Sequence, residues 1–385
     1  MIEVRTARTN EIDETGAAVD QIIQTIDPTT LRAHSAGILF CHFDYVESGV
    51  IEALHKALGF DIIGMTSTSN ATQSGFDMYG LSLAVLTSDD VHFEAAMTTA
   101  LTRDTFAAEI ESTYQTTQKA LGAAPALSFT LIPYMEAISA AEMVRVYNDS
   151  CGGKPFWGSV TTSVELFFDQ CFTVFNERII EDGFAMLLLA GDVQPEFICN
   201  SIPNQLISGR RALVTKSRDY RIYEIDDKPA VDFLNSFDLN VSPTSLPVNN
   251  PMLVYYKNSP NPVALGIYTI FEDGSLLLGG PISDGDTVTV GNMTREGIFQ
   301  TTEECLERIQ SMQEPRGVLI LPCVTRFYFL SPTMNDELEL VRERLGVGEV
   351  PYLMGYSGGE ICPVKDESGQ LVNRLHNYTI AACVL

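Results

Sequence analysis

The sequence predicts an α/β (mixed α+β) fold in two related modules, each a mixed β-sheet flanked by helices. Three observations carry that expectation. Short apolar runs bounded by turn residues alternate with stretches of helical period. The order strand, helix, strand, polar loop, strand occurs near both ends of the chain. Finally, 385 residues with 45% hydrophobic and 19% charged side chains can fill two cores, or at most three.

The elements follow from the N-terminal end. Residues 36–43 (AGILFCHF) read as a buried strand, and 48–58 as a helix stopped by Gly59. Residues 61–65 form a short strand, 66–75 a loop rich in Ser, Thr, Asn and Gly, and 81–87 another strand. A helix is expected over 104–121, opened by an Asp and closed by a Gly. Residues 127–132, 170–175 and 184–190 continue the strand set. The weakly periodic stretch 200–211 marks the boundary between modules at 30–200 and 205–385. The Pro- and Asn-rich passage 239–251 reads as a loop inside the second module.

The echo pairs ILFCHFDY, VIEALHKALGF, DIIGM and LSLAVL with VLILPCVTRF, ELELVRERLGV, VPYLMGY and YTIAACVL. Each copy places a Cys near the end of its first strand, Cys41 and Cys323, and a Gly late in its second, Gly64 and Gly355. A second echo sets FNERIIEDGFAMLLLAGDV (175–193) beside FEDGSLLLGGPISDG (271–285). Both run from an acid–Gly turn into a dense apolar strand.

Charge and thiols narrow the function. Against 50 Asp and Glu stand 24 Lys and Arg, a net −26, so nucleic acid and anionic membranes meet a repulsive field. The longest apolar stretch, 184–190, is too short to span a bilayer, and no secretory leader is visible. The eight cysteines show neither CxxC nor Cys/His metal spacing, so no metal site is expected and reduced thiols are. A cytoplasmic protein is the expectation.

The sharpest chemical constellation lies near the C-terminal end. Residues 321–326 (LPCVTR) close a strand with Cys323, Thr325 and Arg326. Residues 354–361 (MGYSGGEI) form a turn bearing Tyr356, Ser357, Gly358, Gly359 and Glu360, and His376-Asn377 precede the last strand. Glycines let the backbone approach a ligand and leave peptide N–H groups free for an anion. Arg326 suits a carboxylate and Glu360 an ammonium, the complement of an amino acid or similar zwitterion. Equally open at this point are an internal Arg326–Glu360 pair, a Cys323 that merely fills core, and a His376 that only bridges backbone. An enzyme with Cys323 as nucleophile and His376 as base is the alternative function. No phosphate loop, GxSxG elbow or HExxH is present.

These residues resemble the FIST family, sensory proteins that join a FIST N-terminal module to a C-terminal one. RRALVTKSRDYRIYEIDDKPAVDFL resembles the family's opening strands and its Asp-x-x-Pro-Ala helix start, here Asp227 and Pro229-Ala230. ISDGDTVTVGNMTREGI resembles its turn into a long helix. Cys323-x-x-Arg326, a following Glu (Glu337 or Glu339), GYSGGEI and His376-Asn377-x-Thr379 complete the likeness. The N-terminal likeness, over about 30–200, departs at GMTSTSNATQ and at Cys151 to Ser159. The resemblance implies sensing of a small ligand, amino acids being proposed for the family, without a cofactor. It also implies a stand-alone sensor whose output, a kinase or chemoreceptor, is a separate chain.

Overall fold

A computed structural model describes residues 1–163, 170–257, 259, 261–346 and 350–385. Among them one unit recurs three times: strand, helix, strand, helix, strand, hairpin, strand. The first copy comprises β1 (Glu3–Thr9), α1 (Thr15–Ile26), β2 (His34–Cys41), α2 (Val50–Leu58), β3 (Ile62–Thr66), the hairpin β4 (Asn70–Thr72) and β5 (Gly75–Asp77), and β6 (Leu81–Ser88). The second comprises β7 (His92–Met97), α3 (Phe106–Leu121), β8 (Leu127–Ile132), α4 (Ala140–Ser150), β9 (Phe156–Val160), β10 (Thr173–Phe175) with β11 (Arg178–Ile180), and β12 (Ala185–Ala190).

The third copy opens with β13 (Glu196–Asn200) and is then interrupted. The interruption is a separate eight-stranded sheet running from β14 (Ala212–Arg218) to β21 (Thr287–Val290), with α5 (Ala230–Asn235) packed on it. It resumes with α6 (Arg295–Gln310), β22 (Val318–Pro322), α7 (Val324–Phe329), α8 (Asp336–Leu345), β23 (Tyr352–Gly355), the hairpin β24 (Glu360–Lys365) and β25 (Leu371–His376), and β26 (Ile380–Val384).

Each copy builds one six-stranded sheet, in the orders β1-β6-β2-β3, β7-β12-β8-β9 and β13-β26-β22-β23, with one parallel pair in each. The last two strands of every sheet come from another copy. Hairpin β10–β11 completes the first sheet, β24–β25 the second and β4–β5 the third. This cyclic exchange interlocks the two sequence modules. Long apolar strands such as β2, β6, β8 and β12 are buried on both faces. Their inner faces share one core, with Phe40, Phe129, Trp157 and Leu319 from all three sheets. Helices cover the outer faces: α1 and α2 over the first sheet, α3 and α4 over the second, α6 to α8 over the third.

The mixed α/β class therefore stands, and the first echo is real in element order, since β2-α2-β3-β6 and β22-α8-β23-β26 occupy equivalent places. The second echo is not. β12 lies inside a six-stranded sheet, whereas 276–278 pairs within the inserted one. An acid–Gly turn before an apolar strand is a local hairpin signature and carries no wider topology. The predicted loop 66–75 holds hairpin strands β4 and β5, and the expected C-terminal helix ends at Leu345, with residue 347 outside the described residues.

The centre is tight. A Cβ at Gly158 would lie 1.9 Å from the Thr130 carbonyl oxygen, and one at Gly355 would lie 2.5 Å from the Phe40 ring. Glycine is required there by close approach of neighbouring elements.

Candidate functional site

The glycine turn ties the three copies together. Ser67, Thr161 and Ser357 each donate their backbone N–H to the last residue of the preceding central strand, Cys41, Ile132 and Pro322, at 2.8–2.9 Å. Around them, the Ser67 hydroxyl donates to the Tyr356 carbonyl (2.9 Å), Thr68 to the Ser163 carbonyl (2.7 Å), and the Ser159 and Ser357 hydroxyls meet at 2.8 Å. Such buried hydroxyls satisfy loop carbonyls that water cannot reach.

This corrects one expectation. The peptide N–H groups of the turn are not free for an anion: Tyr356 donates to Ser69, Gly358 to Val160, and Gly359 to the Ser357 hydroxyl.

Arg326 is also turned inward. It is fully buried, and its Nε and Nη2 donate to Glu337 Oε1 at 3.0 and 2.6 Å. Nη1 reaches Thr301 (3.0 Å), and Nη2 also reaches Thr302 (2.8 Å) and the Ile298 carbonyl (2.9 Å). Thr302 and the Tyr356 hydroxyl donate to the same carboxylate at 2.7 and 3.0 Å. The result is a closed network that pins α6, α7 and α8 to the turn. Of the two glutamates that the motif left open, Glu337 is the partner, and Glu339 is exposed. Glu360 does not share the guanidinium.

Glu360 stands at a position set by the exchanged hairpins. It pairs across from Ser159, as Asn70 pairs from Gly355 and Thr173 from Met65, so the three residues are equivalents. Asn70 is answered on both sides, donating to the Gly80 carbonyl (2.8 Å) and accepting from Ser82 (2.6 Å). Glu360 is not. Its Oε2 accepts from Thr379 at 2.7 Å, and Oε1, equally buried, has no hydrogen-bond partner among the described residues. Burial raises its pKa well above the usual carboxylate range; the Thr379 hydrogen bond opposes this, and charge on Cys199 adds to it.

Beside it, burial and then the Glu360 charge push the Cys323 thiol up to about 12. The guanidinium of Arg326 is engaged by Glu337 and does not offset this rise. Tyr268, on the inserted sheet, is half exposed at its ring and carries its hydroxyl end towards Cys323, Glu360 and Asn377. Asn377 clips that sheet in place, donating its N–H to Ala264 and accepting from the Gly266 N–H, both at 3.0 Å.

His376 is Glu360's cross-strand neighbour, and it meets backbone, one of the readings left open, rather than Cys323. Its Nε2 lies 3.1 Å from the Cys362 carbonyl, and its ring hydrogen-bonds to Cys199. Burial alone would lower its pKa; the Cys199 sulfur and the Cys362 carbonyl turn the shift upward. The Cys323–His376 nucleophile–base pair is therefore not assembled. Cys199 and Cys362 escaped the sequence reading because they are 163 residues apart on β13 and β24 and carry no motif spacing; only the packing of these two strands joins them.

Among the described residues no group of His, Cys, Asp and Glu side chains has the arrangement to hold a metal ion, and no helix is long and apolar enough to cross a membrane.

The model of the FIST N domain matches residues 35–228 and that of the FIST C domain residues 231–363. No curated protein matches the chain. A cyanuric acid hydrolase from A. caulinodans is similar over 50% of this chain and 72% of its own, with 10% identity and a TM-score of 0.28. A second cyanuric acid hydrolase structure covers 100% of this chain and 99% of its own, with 8% identity and a TM-score of 0.38.

Proposed function

The chain belongs to the FIST family, and on that premise we propose that it senses a small metabolite bearing an N–H donor, an amino acid being the simplest, at Glu360. FIST domains are sensory, small-ligand-binding modules of signal transduction. The observation that carries the reading is the unanswered Glu360 Oε1. A buried acceptor without a donor costs about 1–3 kcal/mol, and a ligand ammonium or amide in contact with it would recover that loss. In this reading Cys323, Ser357 and Tyr268 are the neighbours of the carboxylate, with Asn377 beside Gly359. Arg326 and Tyr356 support the wall from behind. The output partner in this reading is a separate signalling protein such as a kinase or chemoreceptor, and the setting is cytoplasmic.

Titration calorimetry with an amino-acid and amine panel tests it, run on the parent and on Glu360→Gln. Loss of a hydrogen bond to a charged group should weaken the best hit by about 10- to 100-fold. A cationic amine should also favour the ionised carboxylate, so binding should release protons; heats in buffers of different ionisation enthalpy read this directly. Unchanged affinity in Glu360→Gln sinks the assignment.

A further inference from the structure

A second chemistry lies at the corner where β13, the edge of the third sheet, packs against β24 of the second. Seven of the eight cysteine residues are buried, and Cys199 on β13 is the one residue of the eight left partly open to solvent. It packs into the same core cluster as Cys362, and Cys362, His376 and Thr379 all act on its sulfur. Cys362 lies on β24, and its sulfur is 3.6 Å from the Ile198 carbonyl oxygen, in the peptide that leads into Cys199. His376, on the strand paired with β24, faces both residues. A cysteine on a partly open edge strand, a buried cysteine packed in the same cluster and an imidazole close to the first are the parts of a peroxide-responsive dithiol.

We propose that Cys199 and Cys362 form such a couple, Cys199 being oxidised by hydrogen peroxide and Cys362 resolving it to a disulfide that staples β13 to β24. The Cys199 thiolate attacks one peroxide oxygen, forming an S–O bond as the O–O bond breaks. The departing hydroxide takes the proton from the His376 imidazolium and leaves as water. The Cys362 sulfur then attacks Cys199, the S–O bond breaks, and the Cys362 proton leaves with that oxygen as a second water. Two electrons from the two thiols have reduced one peroxide. Hydrogen bonding from Cys362, outweighing burial and helped by His376, holds the Cys199 thiol well below the ordinary range, as an attacking thiol requires. The staple would form on the same strand as Glu360, two residues away, so oxidation also bears on the corner that holds the candidate ligand site.

The test uses the full chain and stoichiometric hydrogen peroxide, and it does not depend on any ligand. Thiols counted after denaturation should fall from eight to six, and peptide mapping should join the Cys199 and Cys362 peptides, reversibly with dithiothreitol. In Cys362→Ser a sulfenic-acid trap should label Cys199; in Cys199→Ser no bond should form. His376→Asn should slow oxidation by at least ~10-fold while leaving the melting curve near that of the parent. Peptide mapping of the unsubstituted protein decides the matter even where a variant folds poorly. All eight thiols surviving, or a bond joining any other pair, overturns the proposal.

Discussion

Glu337 and Glu360 lie 23 residues apart in the same copy of the repeat, and both are fully buried. Glu337 receives a guanidinium, two hydroxyls and so a donor on each oxygen. Glu360 receives one hydroxyl on one oxygen. The first is closed and holds three helices in register; the second leaves an acceptor waiting beside a neutral thiol. A satisfied buried ion pair holds elements in register, whereas a buried carboxylate with one oxygen unpartnered carries a desolvation cost that its surroundings do not offset.

The largest effect should come from opening the closed cluster. Arg326→Ala strands Glu337 without its counter-charge and should lower stability by about 3–5 kcal/mol in denaturant titration. Ligand affinity of the folded fraction should hardly move. A normally stable Arg326→Ala protein that has lost its ligand response would reverse the roles assigned to the two clusters.

Tyr356→Phe removes a single donor from Glu337 Oε2 and should lower stability by about 1.5–3 kcal/mol, again with binding intact. A loss of affinity without a loss of stability would place this hydroxyl at the ligand instead.

Glu360→Gln should act in the opposite direction and depend on pH. Its raised pKa means that the folded chain keeps a proton the unfolded chain gives up above about pH 4.5. Stability of the parent therefore falls as pH rises from there through the folded value, and the Gln variant lacks that loss. Melting curves of the two should coincide near pH 4 and separate upward in pH, with the variant higher. Coincidence at every pH would show that the carboxylate is satisfied after all.

The smallest signal is expected at Cys323. With its pKa at about 12, roughly one part in ten thousand is thiolate at pH 8, so alkylation should be far slower there than at Cys199. Faster labelling at Cys323, read by peptide mapping, would restore it as a candidate nucleophile.

Much of this contrast was legible in residues. The Cys323-x-x-Arg326 segment, the later glutamate, the GYSGGEI turn and His376-Asn377 all meet in the third copy, as their strand-end positions suggested. Their pairing was not legible: two carboxylates were candidates for one guanidinium, and the choice depended on α8 packing beside α6 rather than on spacing. The first 29 residues escaped notice because β1 reads EVRTART, polar at alternate positions with no strong apolar run, although it forms a sheet edge. The exchanged hairpins escaped because NAT and GFD are too short and polar to announce strands, and Thr72 finds Leu353 across most of the chain's length.

Local pattern alone determined the mixed α/β class, several central strands and the covering helices α2, α3 and α8. A period of two or of 3.6 in apolar side chains is written into consecutive residues and needs no distant partner. Tertiary structure decided the rest: the threefold repeat, the hairpins passed from copy to copy, the enclosure of Arg326 and the exposure of Cys199. Each of these depends on which surfaces meet across long loops. Desolvation and hydrogen-bond satisfaction are set by those meetings, so whether a buried polar group is closed or open appears only once they are made.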